Sequence, residues 1–372
     1  MREVTFRYLS QEDCIASGGL DMKGCLKAVE RSFLLHGTKN FILPEKPVIR
    51  WGGPHTEETS GRIIAMPSYL GPRGPYGPND VDEHEELNEE QLSRLNELGG
   101  PVNTSGIKWV PSRPTNPKER GLPRANAIII IVDSLTLMPA CIMDGTIVSA
   151  MRTGAASGVA AKHLANEDSD VMGLIGAGVQ GRTQLMAMKE TLSSLVLCQV
   201  FDLDNKKCEV FREEMEEKID IDVKICETAR EAFREADVVC TATTAKAPYV
   251  KSDWYEKGVL QCEISFWDTY PNALKNMDLI VVDDWLQVKH HGVDVSWRAV
   301  KEGVIDEAEI YGELGEIVAG KKLGRTSENQ NCFFNPIGLG IHDLSEAFRV
   351  YKNAKKLGLG KTLNLWKEPY WI

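Results

Sequence analysis

No stretch of this chain is apolar for long. The longest such run, Ala127 to Val132, is a fraction of the roughly 20 residues that a helical membrane span needs. Cysteine occurs nine times but always singly, at 14, 25, 141, 198, 208, 226, 240, 262 and 332. The total is odd and no C-x-x-C pair occurs, so neither a disulfide framework nor a zinc site is expected. Reduced, mostly buried thiols of a cytoplasmic protein are the expectation instead. The opening MREVTFRYLSQEDC has no charged segment followed by an apolar one, so no signal peptide is expected. Positive charge is in deficit: 43 Lys and Arg face 54 Asp and Glu, a net charge of −11. That balance argues against nucleic acid or an anionic membrane as partner. It leaves open a small-molecule pocket, which can be locally basic on an acidic protein. Repeats and low-complexity tracts are also missing.

What is present is ordinary globular material. The 372 residues suggest two domains, and 42% hydrophobic residues can bury two cores. Met22 to His36 has helical spacing. Gly71 to Gly106 reads as a surface excursion. It opens on GPRGPYGPND and carries one amphipathic helix marked by Leu87, Leu92, Leu95 and Leu98. IKWVPS and ANAIIIIVDS read as strands, the second apolar enough to be covered on both faces. Asp144 to Leu164 is rich in alanine and small residues, as a tightly packed helix would be. From Ser169 strands alternate with helices, the signature of βαβ units and a parallel sheet. The tail from Ile305 returns to Gly-rich and helical segments. The expected architecture is α/β: a Rossmann dinucleotide-binding domain over 146–304, and a discontinuous α+β domain over 1–145 and 305–372.

The strongest local signal is Gly176-Ala-Gly178-Val179-Gln180-Gly181, directly after an apolar strand and before a helix. Gly176 permits a tight turn, Gly178 a close backbone approach to a pyrophosphate, and Gly181 close packing of helix on strand. Asp202 follows Gly181 by 21 residues, at the end of the next strand. An acid there accepts hydrogen bonds from a ribose 2′-OH and repels a 2′-phosphate, which favours NAD over NADP. A turn acid beside Asn205 is the plainer account of Asp202. Thr241 and Thr243 sit at the C-terminal end of a later strand, where such sheets bind ligands, and are candidates for the cofactor site or a simple strand terminus. Arg182 fits a phosphate contact or an exposed arginine equally. His290 and His291 are adjacent, so their side chains diverge, and no metal site is expected.

Arg152 sits among small residues in AMRTGAAS, where a charge is costly to bury unless it is paired. Solvent and an anion are even alternatives for it. The segments DGTIVSAMRTGAASGVAAKHLA, GLIGAGVQG, KPVIR, AMPSYLG, GIKWVPSRPTNPKERGLPRANA and FFNPIGLGIHDLS together resemble the ornithine cyclodeaminase and mu-crystallin family. The resemblance covers most of the chain and implies a homodimer whose substrate domain also dimerises. It implies that Arg50, Lys108 and Arg152 hold a substrate carboxylate and that Asp268 handles protons, with Lys108 beside it in the catalytic set. Without it, Arg50 reads as a surface residue, Lys108 as a strand lysine reaching water, and Asp268 as the start of a turn. The implied activity is hydride transfer from an amino acid Cα to NAD, followed by attack on the imine carbon. The branch resembled is oxidative cleavage of an N-(aminocarboxyethyl)glutamate-type secondary amine. Cyclodeamination of ornithine or lysine, ketimine reduction and a non-catalytic nucleotide-binding role are the alternatives. The 72–105 insert departs from the family's pattern.

Overall fold

A computed structural model describes residues 3–52, 60–71 and 85–371. The chain divides into two compact units, Met1–Arg152 with Leu339–Ile372, and Thr153–Gly338. Among the described residues, no helix is long and apolar enough to cross a membrane. All nine cysteines are buried free thiols.

The first unit opens with β1 (Val4–Leu9), α1 (Gln11–Cys14) and α2 (Met22–Gly37). Asp21 caps α2 by accepting the Gly24 N–H at 3.1 Å. Then come β2 (Phe41–Ile42), β3 (Val48–Trp51), β4 (Gly61–Leu70), α3 (Glu89–Glu97), β5 (Thr104–Ser112) and α4 (Asn116–Arg120). The strands β6 (Ile128–Val132) and β7 (Pro139–Asp144) lead into α5 (Thr146–Leu164), of which the part to Arg152 belongs here. The expected excursion helix is α3. Asn88 caps it, Leu95 and Leu98 are buried, and Arg94 is ion-paired with Glu30 of α2. The first part of the insert, 72–84, lies outside the described residues.

The second unit is built on β8 (Val171–Ile175), α6 (Val179–Thr191), β9 (Leu197–Phe201), α7 (Asn205–Lys218), β10 (Asp222–Ile225), α8 (Ala229–Phe233), β11 (Val238–Thr241), β12 (Leu260–Glu263) and β13 (Leu279–Val282). It continues through α9 (Trp285–His291), α10 (Val295–Lys301), β14 (Ile310–Glu313), α11 (Leu314–Val318) and β15 (Cys332–Asn335). Its sheet runs β10-β9-β8-β11-β12-β15-β13-β14, all parallel, with a change of direction between β8 and β11. Open sheets of this kind bind ligands at such a switch point. The expectation that residues 305–338 belong with the first unit is corrected: β15 inserts between β12 and β13, and β14 pairs with β13.

The chain then returns to the first unit with α12 (Gly340–Leu357) and β16 (Lys361–Trp366). Its sheet runs β16-β1-β7-β6-β5-β4-β2, with β3 on β4. Leu9, Ile129, Ile131, Met143 and Val148 pack with Leu344, Ala347 and Val350 of α12 in one core. The expectation that β6 is covered on both faces is not met. Ile129 and Ile131 are buried, but Ile128 is 41% exposed. The sheet is mostly antiparallel, and such sheets carry a core on one face only.

Candidate active site

Each unit holds one cluster of functional groups. In the first, Lys108 rises from β5 and Arg152 from α5 towards the single carboxylate of Asp343 on α12. The Lys108 ammonium is 2.7 Å from Asp343 Oδ2 and donates to Ser149 Oγ at 3.1 Å. Arg152 Nε donates to Asp343 Oδ1 at 2.9 Å. All three side chains are buried, so the anion alternative is the one the structure shows for Arg152. Two cations on one carboxylate leave a net positive charge in low dielectric. Burial, then the Arg152 charge, pushes the Lys108 ammonium down to about 7, against the opposing pull of Asp343.

His342 adjoins the same cluster. Burial and the surrounding cations, Arg152 first, hold its imidazole well below the ordinary histidine range, so it is neutral. Ser32 Oγ donates to Val29 O at 2.6 Å and lies 2.7 Å from His342 Nδ1. With the hydroxyl proton so used, Nδ1 carries the ring proton and Nε2 is a bare acceptor. Among the described residues, Nε2 has no partner.

Arg50 is not brought to Lys108 and Arg152. It is exposed on β3, directly opposite Arg62 of β4, four residues from Met66, which faces Lys108. The same segment contributes Lys46 instead, whose charge acts on both Lys108 and His342. Lys46 and Asp343 lie inside the segments that carry the family resemblance, but neither is singled out by local pattern.

The second unit carries the glycine-rich turn between β8 and α6. Gly176 has φ +108°, and a Cβ there would lie 2.6 Å from Ala242 O across the switch point. A Cβ on Gly181 would lie 2.2 Å from Gly176 O. Gly178, the N-cap of α6, has nothing within 4 Å of its Cβ position, so the helix N-terminus faces open space. Val179 is 64% exposed beside it and Gln180 partly so. Asp202 Oδ2 accepts the Ala177 N–H at 3.1 Å, placing its carboxylate at the glycine turn. Arg182 is turned inward: it donates to Glu214 Oε2 at 2.7 Å and to Ala177 O at 2.8 Å, bracing the turn. A cradle open at Gly178, closed at Gly176 and Gly181, and flanked by an acid fits a dinucleotide with a free ribose 2′-OH.

Asp268 lies in the loop after β12, fully buried. Its carboxylate accepts from Thr243 Oγ1 at 2.6 Å, from Tyr249 OH at 3.1 Å and from Ser265 Oγ. Thr243 therefore holds Asp268. Thr241 is buried, and its hydroxyl has no partner among the described residues. Behind the loop, Glu263 Oε1 accepts the Asp268 N–H at 3.1 Å. Burial, aided by the Asp268 charge, pushes the Glu263 carboxyl up to about 8. The hydroxyl donors Tyr249 and Ser265 and the buried Glu263 escaped the sequence reading, because no spacing rule links them to Asp268. His291 Nδ1 is 3.0 Å from Asp294 Oδ2, and the described residues contain no metal-holding group of three ligands.

Residues 98–358 match the model of the ornithine cyclodeaminase/mu-crystallin family. The N-((2S)-2-amino-2-carboxyethyl)-L-glutamate dehydrogenase of Staphylococcus aureus is 31% identical over 96% of this chain and 98% of its own. The Thermococcus litoralis Delta(1)-pyrroline-2-carboxylate reductase, solved with NADH and L-proline, is 34% identical. It superposes with a TM-score of 0.80 over 96% of this chain and 99% of its own. An archaeal alanine dehydrogenase dimer with bound NAD is 29% identical, with a TM-score of 0.80 over 98% of this chain and 100% of its own.

Proposed function

The chain belongs to the ornithine cyclodeaminase/mu-crystallin family, and from that premise we propose that it oxidatively cleaves an N-(2-amino-2-carboxyethyl)glutamate-type secondary amine with NAD. It is an NAD-dependent amino-acid oxidoreductase of that family. The observation that carries the reading is the buried Lys108–Arg152–Asp343 cluster, in which two cations share one carboxylate and the excess charge calls for an anion. An amino acid carboxylate supplies it, and the planar fork of Arg152 suits it. The near full-length similarity to the Staphylococcus dehydrogenase supports the choice of a secondary amine.

Oxidation takes a hydride from the substrate Cα and a proton from its nitrogen, leaving a C=N bond. NAD would be held at Gly176, Gly178, Gly181 and Asp202 and would supply the hydride acceptor. Asp268 accepts the amine proton at its carboxylate, where three hydroxyl donors fix the orientation. The same carboxylate then positions the water that adds to the imine carbon. Collapse of the adduct breaks the C–N bond and releases 2-oxoglutarate and 2,3-diaminopropionate. Atoms balance as secondary amine, NAD and water giving keto acid, primary amine, NADH and a proton. We assign the chain to the cytoplasm as a homodimer; its free, buried cysteines and the dimer of the archaeal alanine dehydrogenase support this.

The test is NADH absorbance with a panel of the secondary amine, ornithine, lysine and alanine, each with NAD, and an ammonia assay on every well. Net NADH from the secondary amine is the expected result. Ammonia without net NADH from ornithine or lysine would move the chain to the cyclodeaminases, and NADH from alanine alone to the simple dehydrogenases.

A further inference from the structure

The middle of a parallel sheet is covered on both faces, and strands there read as apolar runs. In the second unit β11 contributes Val238, Val239 and Cys240 in that way, and β13 the run Leu279–Val282. The strand β12, between β11 and β15, departs from it. Its sequence is Leu-Gln-Cys-Glu, and Gln261 and Glu263, two residues apart, share one face. Both are fully buried. Among the described residues, no lysine or arginine pairs with Glu263. A buried carboxyl without a cation is costly, and an apolar side chain of similar size would serve a core better. Local rules broken in this way mark functional positions.

What Glu263 meets is the backbone of the loop that carries Asp268. Its Oε1 accepts the Asp268 N–H at 3.1 Å, and the N–H and hydroxyl of Thr269 reach the same carboxyl. Gln261 closes the network from behind. Its Nε2 donates to Thr269 Oγ1 at 2.9 Å and to Glu263 Oε2 at 3.5 Å, and its Oε1 accepts from Tyr255 OH. On the other side of the turn, Asp268 O accepts the backbone N–H groups of Tyr249 at 2.8 Å and Val250 at 2.9 Å. Asp268 is thus held at three points: its N–H, its carbonyl oxygen and its carboxylate. Thr243, Tyr249 and Ser265 hold the carboxylate. Among the described residues, Glu263 is the one side chain that holds the backbone. Burial pushes the Glu263 carboxyl up to about 8, so near neutral pH it acts through the reach of its oxygens more than through a full charge.

We propose that Glu263 is a positioning residue: by gripping the N–H groups of residues 268 and 269, it sets where the Asp268 carboxylate stands when it takes the amine proton. Glu263 is buried behind the loop and acts only through Asp268. The inference rests on the proton-handling role proposed for Asp268. Positioning of this kind enters the rate of the chemical step rather than the binding of substrate or cofactor. A reacting group displaced by about 1 Å costs up to about 100-fold.

The test uses the full-length protein and two substitutions that separate reach from charge. E263Q keeps an acceptor oxygen at the same reach and has no charge. E263D keeps the carboxyl and withdraws it by one methylene. Each is compared with the wild type for kcat, KM and NADH affinity, and for amide exchange of the 264–270 segment by mass spectrometry. We expect E263D to lose about 10- to 100-fold in kcat, with KM and the NADH dissociation constant within about twofold of wild type. E263Q should recover most of that loss. The 264–270 amides should exchange about tenfold faster in E263D, as for a lost buried hydrogen bond, and far less so in E263Q. The reverse order, E263D active and E263Q impaired, overturns the inference, because the carboxyl then works through its charge. Wild-type kcat in both variants overturns it as well. So does a loss of kcat matched by a loss of NADH affinity, which is mere upkeep of the fold. D268N isolates the premise: turnover like wild type would end the role of Asp268, and the inference falls with it. If the wild type oxidises no compound of the panel, the proposed function fails instead. Glu263 is then judged by exchange alone: faster exchange confined to E263D sustains its grip on the loop, and equal exchange in all three proteins removes it.

Discussion

Lys108 titrates near neutrality because its ammonium is buried beside Arg152 and only partly offset by Asp343. Its folded value, about 7, lies below the ordinary 10.5, so the positive charge is present below that pH and lost as pH rises through it. Affinity for a carboxylate should follow the charge. We predict that 2-oxoglutarate, which has no amine to titrate, inhibits less strongly as pH climbs through about 7. D343N removes the group that supports the ammonium, so it should move this loss to lower pH. An inhibition constant flat across neutral pH would separate Lys108 from the carboxylate site. The glycines at 176, 178 and 181 were legible in the sequence because a backbone demand leaves a fixed spacing. Asp268 and Lys108 were legible only through the family resemblance. Asp343 was not singled out, since its partners Lys108 and Arg152 lie far from it along the chain and no local pattern announces such a contact. Arg50 sits on β3 opposite Arg62, a register that no local pattern announces either.

At the scale of elements, the alternation of β8 to β11 with helices was readable, and β12 and β13 after them, because each strand is a short apolar run and each helix has its own period. The strands β14 and β15 were missed. They follow long irregular segments, and only their pairing with β13 and β12 assigns them to the second sheet. For β6 the apolar run was read correctly as a strand and wrongly as covered on both faces. Composition records hydrophobicity but not which face meets a helix. The small residues of α5 have a specific reason. In the second unit, a Cβ on Gly154 would sit 2.2 Å from Thr183 O and 2.5 Å from its carbonyl carbon, both backbone atoms of α6. We predict that Gly154→Ala destabilises the protein by about 1–3 kcal/mol despite the better helix propensity of alanine, because the backbone must shift to admit the methyl group. Denaturant unfolding measures it. A neutral or stabilising effect would mean that α5 and α6 pack less tightly than this distance requires.

Across the whole molecule, an acidic chain gathers Lys108 and Arg152 around Asp343 in the first unit, while the dinucleotide cradle and the buried proton-handling carboxylate belong to the second. Net charge alone argued against polyanionic partners but carried no information about this cluster, because it depends on contacts between elements far apart in the chain. The division of labour makes one claim about chemistry: the substrate is oxidised at the carbon that bears its amine. The most direct measurement uses N-(2-amino-2-carboxyethyl)glutamate deuterated at the glutamate Cα, with NAD, and mass analysis of the reduced cofactor. The account predicts one deuterium in each NADH formed, with 2-oxoglutarate released in equal amount. Unlabelled NADH, or deuterium retained in the amino acid product, would contradict it.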